Sequence, residues 1–161
     1  MRLRIPMRLG LCCGAILAIS ACAPSLIPGT EVPDTTTNRE LLKDIEQYRQ
    51  AVERRDAKSV IAMVSPTYFD ERGHPDDPTY HWNYNRLVQE LPDKFAKVKD
   101  MRLSVTIRRV HVKEDRAKVS YLFTENYLAE LPAGETPEHS SDLSQIEFVR
   151  SGTQWLITKG L

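Results

Sequence analysis

The sequence predicts an α+β domain in which N-terminal helices pack on one face of a bent antiparallel sheet. Two observations support this fold class. Leu41, Ile45, Tyr48 and Val52 are spaced four, three and four residues apart, which indicates an amphipathic helix. Beyond about residue 100 the apolar residues recur at every second position, which is typical of half-buried strands. A chain with helices first and strands afterwards forms a layered α+β domain.

Two helices are predicted in the first part of this domain. Thr37 and Glu40 have the spacing of a capping box and predict a helix over residues 38–54. Asp56 is a suitable cap for a second, short helix, and Pro66 ends it.

A short strand over 67–71 and a third helix are predicted next. The third helix covers 80–99, and Pro92 predicts a kink or a break after Leu91.

Four strands are predicted in the remainder of the chain. In the first, over 102–112, the apolar phase slips by one residue after Arg108, which indicates a β-bulge. The second covers 117–128, and the Pro/Gly-rich stretch 131–141 predicts an irregular connection. The last two strands are predicted over 143–150 and 154–159.

The N-terminus has the pattern of a secretory signal. Three arginines precede an apolar run of about 13 residues, which is shorter than the roughly 20 residues of a membrane-spanning helix. Ser20 and Ala21 are small residues directly before Cys22, and the segment resembles a bacterial lipoprotein signal. This resemblance implies that residues 1–21 are removed and that Cys22 is lipidated. An ordinary transmembrane anchor is the alternative.

The remaining residues, 22–161, form one domain by length. Residues 22–37 are rich in proline and threonine and predict a flexible tether, which leaves 38–161 as the folded domain. The region 22–161 contains 19 basic and 22 acidic residues, which argues against nucleic acid as a partner. Cys22 is its only cysteine, so an internal disulfide, a thiolate metal site and a cysteine nucleophile are excluded.

The order of elements resembles the NTF2-like superfamily, the cone-shaped fold of SnoaL-like cyclases and ketosteroid isomerases. The resemblance lies in the stretch from Tyr48 to Asp56, in Tyr68-Phe69-Asp70-Glu71, and in the final run from Glu147 through Trp155. It covers 38–161 and implies a curved antiparallel sheet wrapped around the N-terminal helices. The chain is also similar to lipoproteins of myxobacteria-like Gram-negative bacteria.

The resemblance also implies a candidate catalytic pair. In ketosteroid isomerases a tyrosine on the first helix donates to a developing oxyanion and an acid near the first strand moves a proton. Tyr48 matches the tyrosine, and Asp70 or Glu71 matches the acid. The second acidic donor of those enzymes has no match in this sequence. Tyr48 also lies on the apolar stripe of its helix, so packing is an alternative role.

Other residues are candidates for the lining of a pocket. Glu125 continues the alternation of Tyr121, which would place a carboxylate on the inward face of its strand. A bulge that turns Glu125 outward, or a sheet end where water reaches it, is the alternative. Tyr80 and Trp82 belong to an aromatic run that could stack on a ligand or could simply pack the third helix.

Neither a metal nor a cofactor is predicted. The histidines and aspartates between His74 and His81 match no specific metal-site spacing, and the sequence contains no Gly-rich phosphate loop.

These patterns predict a lipid-anchored protein of the cell envelope that binds a small apolar ligand or an envelope protein without chemistry. Ala23 after the cysteine favours the outer membrane of a Gram-negative bacterium, by resemblance to proteobacterial lipoproteins. An isomerase-like enzyme that moves a proton on a small carbonyl compound is the alternative. A homodimer formed through the sheet face is a third hypothesis.

Overall fold

The computed structural model describes residues 25–161. The predicted signal segment 1–21 and the predicted lipidation site at Cys22 lie outside these residues. Within 25–161, no helix is long and apolar enough to cross a membrane.

Two helices open the domain, as predicted. Helix α1 covers Thr36–Glu53, and helix α2 covers Ala57–Ala62 with Asp56 as its N-cap. The predicted cap of α1 is wrong by two residues, because the side chain of Thr35 accepts the hydrogen bond from the Asn38 amide. An Arg39–Asp34 ion pair also holds the chain at this end of the helix.

The segment before α1 is folded, although the sequence predicts a flexible tether as far as residue 37. Leu26 and Pro33 form a β-bridge, and the Ile27 amide donates to the Val32 carbonyl at 2.9 Å. Val32 is only 1% exposed. Burial of this side chain overrides the loop-like composition, so the folded domain includes residues 25–37.

A two-stranded sheet and a third helix follow. Strand β1 (Phe69–Asp70) pairs antiparallel with β2 (Trp82–Asn83), and helix α3 covers Tyr84–Ala96. The helix begins four residues later than predicted because Asn83 is its N-cap and because Pro78–Tyr80 form a separate 3₁₀ turn. The predicted break after Leu91 does not occur, and the helix continues through Pro92.

The large sheet is an antiparallel meander of four strands in the order β3-β4-β5-β6. Strand β3 covers Val98–Lys113, β4 covers Arg116–Leu131, β5 covers Gly134–Ser151 and β6 covers Gln154–Lys159. The register shifts between Ile107 and Arg109, which confirms the predicted bulge at Arg108. Another register shift lies between Lys99 and Arg102. Such bulges bend strands, and the sheet curves around the helices.

The predicted irregular connection over 131–141 is wrong. Strand β5 pairs with β4 in unbroken register from Leu131 opposite Gly134 to Arg116 opposite Val149. Pro137 is tolerated because β6 pairs only with residues 147–151, so this part of β5 is a sheet edge.

The core lies between the concave face of the sheet and the helices. Its fully buried residues include Leu41 from α1, Val119 from β4, Ile146 from β5 and Ile157 from β6. A second cluster joins Ala51 and Val52 of α1 to Met101 and Leu103 of β3. Tyr48 contacts both clusters. The arrangement is the α+β fold with a curved antiparallel sheet that the sequence predicts.

Candidate functional site

A cavity of about 700 Å³ opens between α1, the concave face of the large sheet and the C-terminal residues. This volume lies within the range of sites that bind small molecules. Most of the residues that line it come from four parts of the fold. They are Tyr48 and Val52 of α1; Asp70 at the end of β1 with Arg72 after it; Tyr121, Phe123 and Glu125 of β4; and Asp142, Leu143, Ser144 and Gln145 of β5. The cavity therefore combines aromatic walls with several charged groups.

Tyr48 projects from α1 toward the sheet. Burial raises the pKa of its hydroxyl well above the ordinary value, and the nearby Tyr121, Tyr68 and Glu125 raise this pKa further. The hydroxyl is thus a neutral hydrogen-bond donor at physiological pH. Tyr48 therefore both lines the cavity and packs in the core.

Glu125 lies on the concave face of β4, as the alternation of the strand predicts. The residue is half-buried, and burial alone raises the pKa of its carboxyl. Among residues 25–161, no lysine, arginine or histidine forms an ion pair with it. Structural carboxylates in folded proteins usually have partners, so an unpaired one inside a cavity is a candidate ligand-binding group.

Asp70 lines the same cavity, but its carboxylate is already occupied. Oδ1 accepts from the Arg72 amide at 2.7 Å, and Oδ2 accepts from the Gly160 amide at 2.8 Å. The residue is 7% exposed. The first contact is local, and the second joins β1 to the residue that follows β6; both are typical of a structural carboxylate. As a proton acceptor Asp70 is less well placed than Glu125, which has no such partners.

Three of the predicted pocket residues do not line the cavity. Glu71 forms an ion pair with Lys159 at 3.3 Å. Tyr80 is exposed and stacks on His74 with ring centroids 4.1 Å apart. Trp82 is 5% exposed and belongs to the core, because the strand pair β1–β2 turns its ring inward.

Sequence reasoning missed several cavity residues. Phe123 follows the same alternation as Tyr121 and Glu125 and could have been found from it. Arg72, Lys159 and Gly160 have no sequence signal, because they reach the cavity only through the contact between β1 and the C-terminal strand.

The histidine- and aspartate-containing loop at 74–81 has local structural roles. The Asp77 side chain caps the 3₁₀ turn by accepting from the Thr79 amide, and His81 Nε2 lies 2.9 Å from the His74 carbonyl. Within residues 25–161, no group of three or more histidine, cysteine, aspartate or glutamate side chains is arranged to hold a metal ion.

Glu125→Gln is expected to raise thermal stability near pH 8 but not near pH 4. Because the pKa of Glu125 is raised on folding, the folded protein holds this proton more tightly than the unfolded chain does. The resulting stabilisation is complete below the unfolded pKa of about 4.3 and is lost as pH rises through the folded pKa. Glutamine does not ionise and avoids this loss.

Thermal unfolding followed by circular dichroism at both pH values measures this difference. Glu31→Gln, at an exposed position outside the cavity, is the control and should match the wild type. An equal effect of Glu125→Gln at both pH values would show that Glu125 is not desolvated.

Comparison with solved structures identifies the class of fold. The described residues have the NTF2-like fold. A ketosteroid isomerase-like protein from Erwinia carotovora atroseptica superposes with a TM-score of 0.63 at 17% identity, over 79% of this chain and 95% of that chain. An NTF2-like superfamily protein from Salmonella enterica gives a TM-score of 0.61 at 13% identity, over 78% and 88%.

A conserved protein from Planctomyces limnophilus gives a TM-score of 0.65 at 10% identity, over 77% of this chain and 92% of that chain. No family model matches the sequence, and no curated protein matches it. Identities this low establish the fold, and the function has to be argued from the cavity itself.

Proposed function

We propose that this protein is a lipid-anchored protein of the cell envelope whose NTF2-like domain binds a small, largely apolar ligand without chemistry. The observation that carries the binding function is the cavity, which has aromatic and aliphatic walls and a polar lining that includes Tyr48 and Glu125. A concave site that combines apolar walls with convergent polar groups is typical of small-molecule sites.

The non-catalytic assignment is supported by the state of Asp70. Both of its oxygens accept backbone hydrogen bonds, so using it as a base would disrupt the contact between β1 and β6. In the predicted pair of Tyr48 as donor and Asp70 as base, the Asp70 carboxylate is therefore already occupied and only Tyr48 is available.

Filling the cavity tests the binding function. Ser144 lies opposite Tyr121 in the sheet and lines the cavity, so Ser144→Trp places an indole inside it. Ser104 is exposed and alternates with the inward-facing Leu103, so Ser104→Trp adds the same ring outside. In a fragment screen by ligand-observed NMR, hits should be retained by Ser104→Trp and lost by Ser144→Trp. Identical hits for both variants would contradict the proposal.

The enzyme alternative rests on one observation, that Tyr48 lines the same cavity as the carboxyls of Asp70 and Glu125. An isomerase-like enzyme would exchange the α-hydrogens of a small cyclic ketone with deuterium from solvent. NMR should show no exchange above the protein-free rate if the domain only binds. Exchange that is abolished by Tyr48→Phe would overturn the non-catalytic assignment.

The anchoring is proposed from the signal segment and Cys22, with Ala23 favouring the outer membrane. Intact mass of the mature protein expressed in a Gram-negative host should show a diacyl or triacyl addition that Cys22→Ala abolishes. An unmodified Cys22 would contradict the anchor.

Binding of an envelope protein and homodimer formation through the sheet face are the other proposed partnerships. Leu143, which is 66% exposed on β5, would be covered in such a dimer. Sedimentation of the lipid-free Cys22→Ala protein distinguishes a dimer from a monomer.

A further inference from the structure

The concave face of β4 carries a row of aromatic residues around one acid. Tyr121, Phe123, Glu125 and Tyr127 are alternate residues of the strand and share a face. The Tyr121 and Phe123 rings lie 6.4 Å apart at an angle of 55°. Tyr48 of α1 lines the same cavity and is close enough to Tyr121 and Glu125 for both to raise the pKa of its hydroxyl. Glu125 is therefore flanked by aromatic rings from its own strand and from the opposite helix.

The residues that line the cavity include more acidic than basic side chains. Four carboxylates line it, Asp70, Glu125, Asp142 and Glu147, against two cations, Arg72 and Lys159. Both cations have other contacts: Arg72 donates to the Leu161 carbonyl at 2.9 Å, and Lys159 pairs with Glu71.

The other three acids also have partners. Asp70 accepts the two backbone amides described above, Asp142 accepts from the Leu143 amide at 2.7 Å, and Glu147 pairs with Lys118 at 2.7 Å. Among the lining residues, Glu125 is thus the carboxyl for which the described chain supplies neither a cation nor a backbone donor.

We propose that the ligand carries a cationic nitrogen, a quaternary or protonated tertiary amine, that binds against Glu125 with its alkyl groups over Tyr48, Tyr121 and Phe123. This inference rests on the proposed binding function and names its ligand class. Aromatic faces attract alkylammonium groups through the negative potential of the ring, and this attraction is strongest where water is excluded. The ammonium group supplies the positive charge that the surroundings of Glu125 lack.

Other ligand chemistries fit this cavity less well. A carboxylate or phosphate ligand would be repelled by Glu125. A neutral apolar ligand would cover the Glu125 carboxyl and leave it without a partner, which is unfavourable for a buried polar group. An ammonium group satisfies both the acid and the rings.

Three probes of nearly equal shape test the charge preference: choline, its neutral analogue 3,3-dimethylbutan-1-ol, and the anion 3,3-dimethylbutanoate. Binding is measured by NMR titration of the lipid-free Cys22→Ala protein. Choline is expected to bind at least tenfold more tightly than either analogue. Glu125→Gln should remove this preference, and the control Glu31→Gln should keep it.

A second variant tests the rings. Phe123→Leu keeps an apolar side chain but removes a π-face, so it should weaken choline binding severalfold and leave the neutral analogue unchanged.

The inference is overturned if choline binds no more tightly than its neutral analogue, or if Glu125→Gln leaves the preference intact. Its failure is distinguishable from failure of the proposed function. If fragments bind and Ser144→Trp abolishes their binding while choline shows no preference, the cavity binds ligands of another class. If no fragment binding depends on Ser144, the binding function itself is wrong.

Discussion

Trp82→Ala is expected to lower the free energy of unfolding by about 3–5 kcal/mol, the range for buried tryptophan. The ring is 5% exposed and packs in the main core cluster. Three cations surround it, with Lys94 Nζ 4.4 Å from the ring centroid and the Arg72 and Arg86 guanidinium carbons at 5.3 and 5.4 Å. Removal of the ring leaves a cavity and also removes the π-face that holds these like charges together.

Urea unfolding monitored by circular dichroism measures this loss. Trp82→Phe should lose less, because a phenyl ring keeps part of the packing and of the π-face. Tyr80→Ala is the control, since Tyr80 is 49% exposed and should change stability by no more than about 0.5 kcal/mol. A loss below about 1 kcal/mol for Trp82→Ala would show that Trp82 is not a core residue and would restore the predicted ligand-stacking role.

Asp70→Ala is expected to lower the free energy of unfolding by about 3 kcal/mol, because two charge-assisted hydrogen bonds are lost and two amides are left without an acceptor. The Gly160 amide is 90 positions away in sequence, so this contact joins distant parts of the chain. Alanine at this position removes the hydrogen bond between β1 and the residue that follows β6.

The neighbouring acid provides the control for Asp70. Glu71→Ala removes only a partly exposed ion pair with Lys159 and should cost about 0.2–1 kcal/mol. Asp70→Asn should fall between the two, since the amide keeps one acceptor oxygen. Chemical denaturation of the three variants measures the order. If Asp70→Ala is as mild as Glu71→Ala, the carboxylate is not structural and its predicted catalytic role gains support.

The elements that local sequence determines were predicted well. The cap of α2 at Asp56 is set by one side chain that accepts the Ser59 amide at 3.0 Å. The bulge at Arg108 is visible as a phase slip, because the face on which each strand residue lies depends only on its position. Both features involve residues that are close in sequence.

The first part of β5 could not be predicted in this way. Its residues 134–141 have a loop-like composition, and their extended conformation comes from pairing with β4. The predicted start of α3 is wrong for a related reason, because Trp82 is held in a strand by its pairing with Asp70. In both places tertiary pairing overrides local propensity.

The candidate site also has features that local sequence indicates and features that depend on long-range contacts. Strand periodicity predicts an inward position for Glu125, and the resemblance to ketosteroid isomerases is what points to Tyr48. The occupied state of Asp70 depends on Gly160, which no local pattern relates to it. The sequence therefore identifies residues that face the cavity, and the structure distinguishes a free carboxyl from one that holds the fold together.

A cationic ligand should bind in the cavity beside Tyr48 and Glu125. Titration of ¹⁵N-labelled, lipid-free Cys22→Ala protein with choline, followed by two-dimensional NMR, tests it most directly. We expect the largest, saturable shifts at the amides of Tyr121, Phe123, Glu125 and Gly160, and we expect Glu125→Gln to reduce the affinity for choline to that for its neutral analogue. Shifts confined to the exposed aromatic loop around Phe69 and Tyr80, or no saturable shifts at all, would show that the cavity does not bind a cationic ligand.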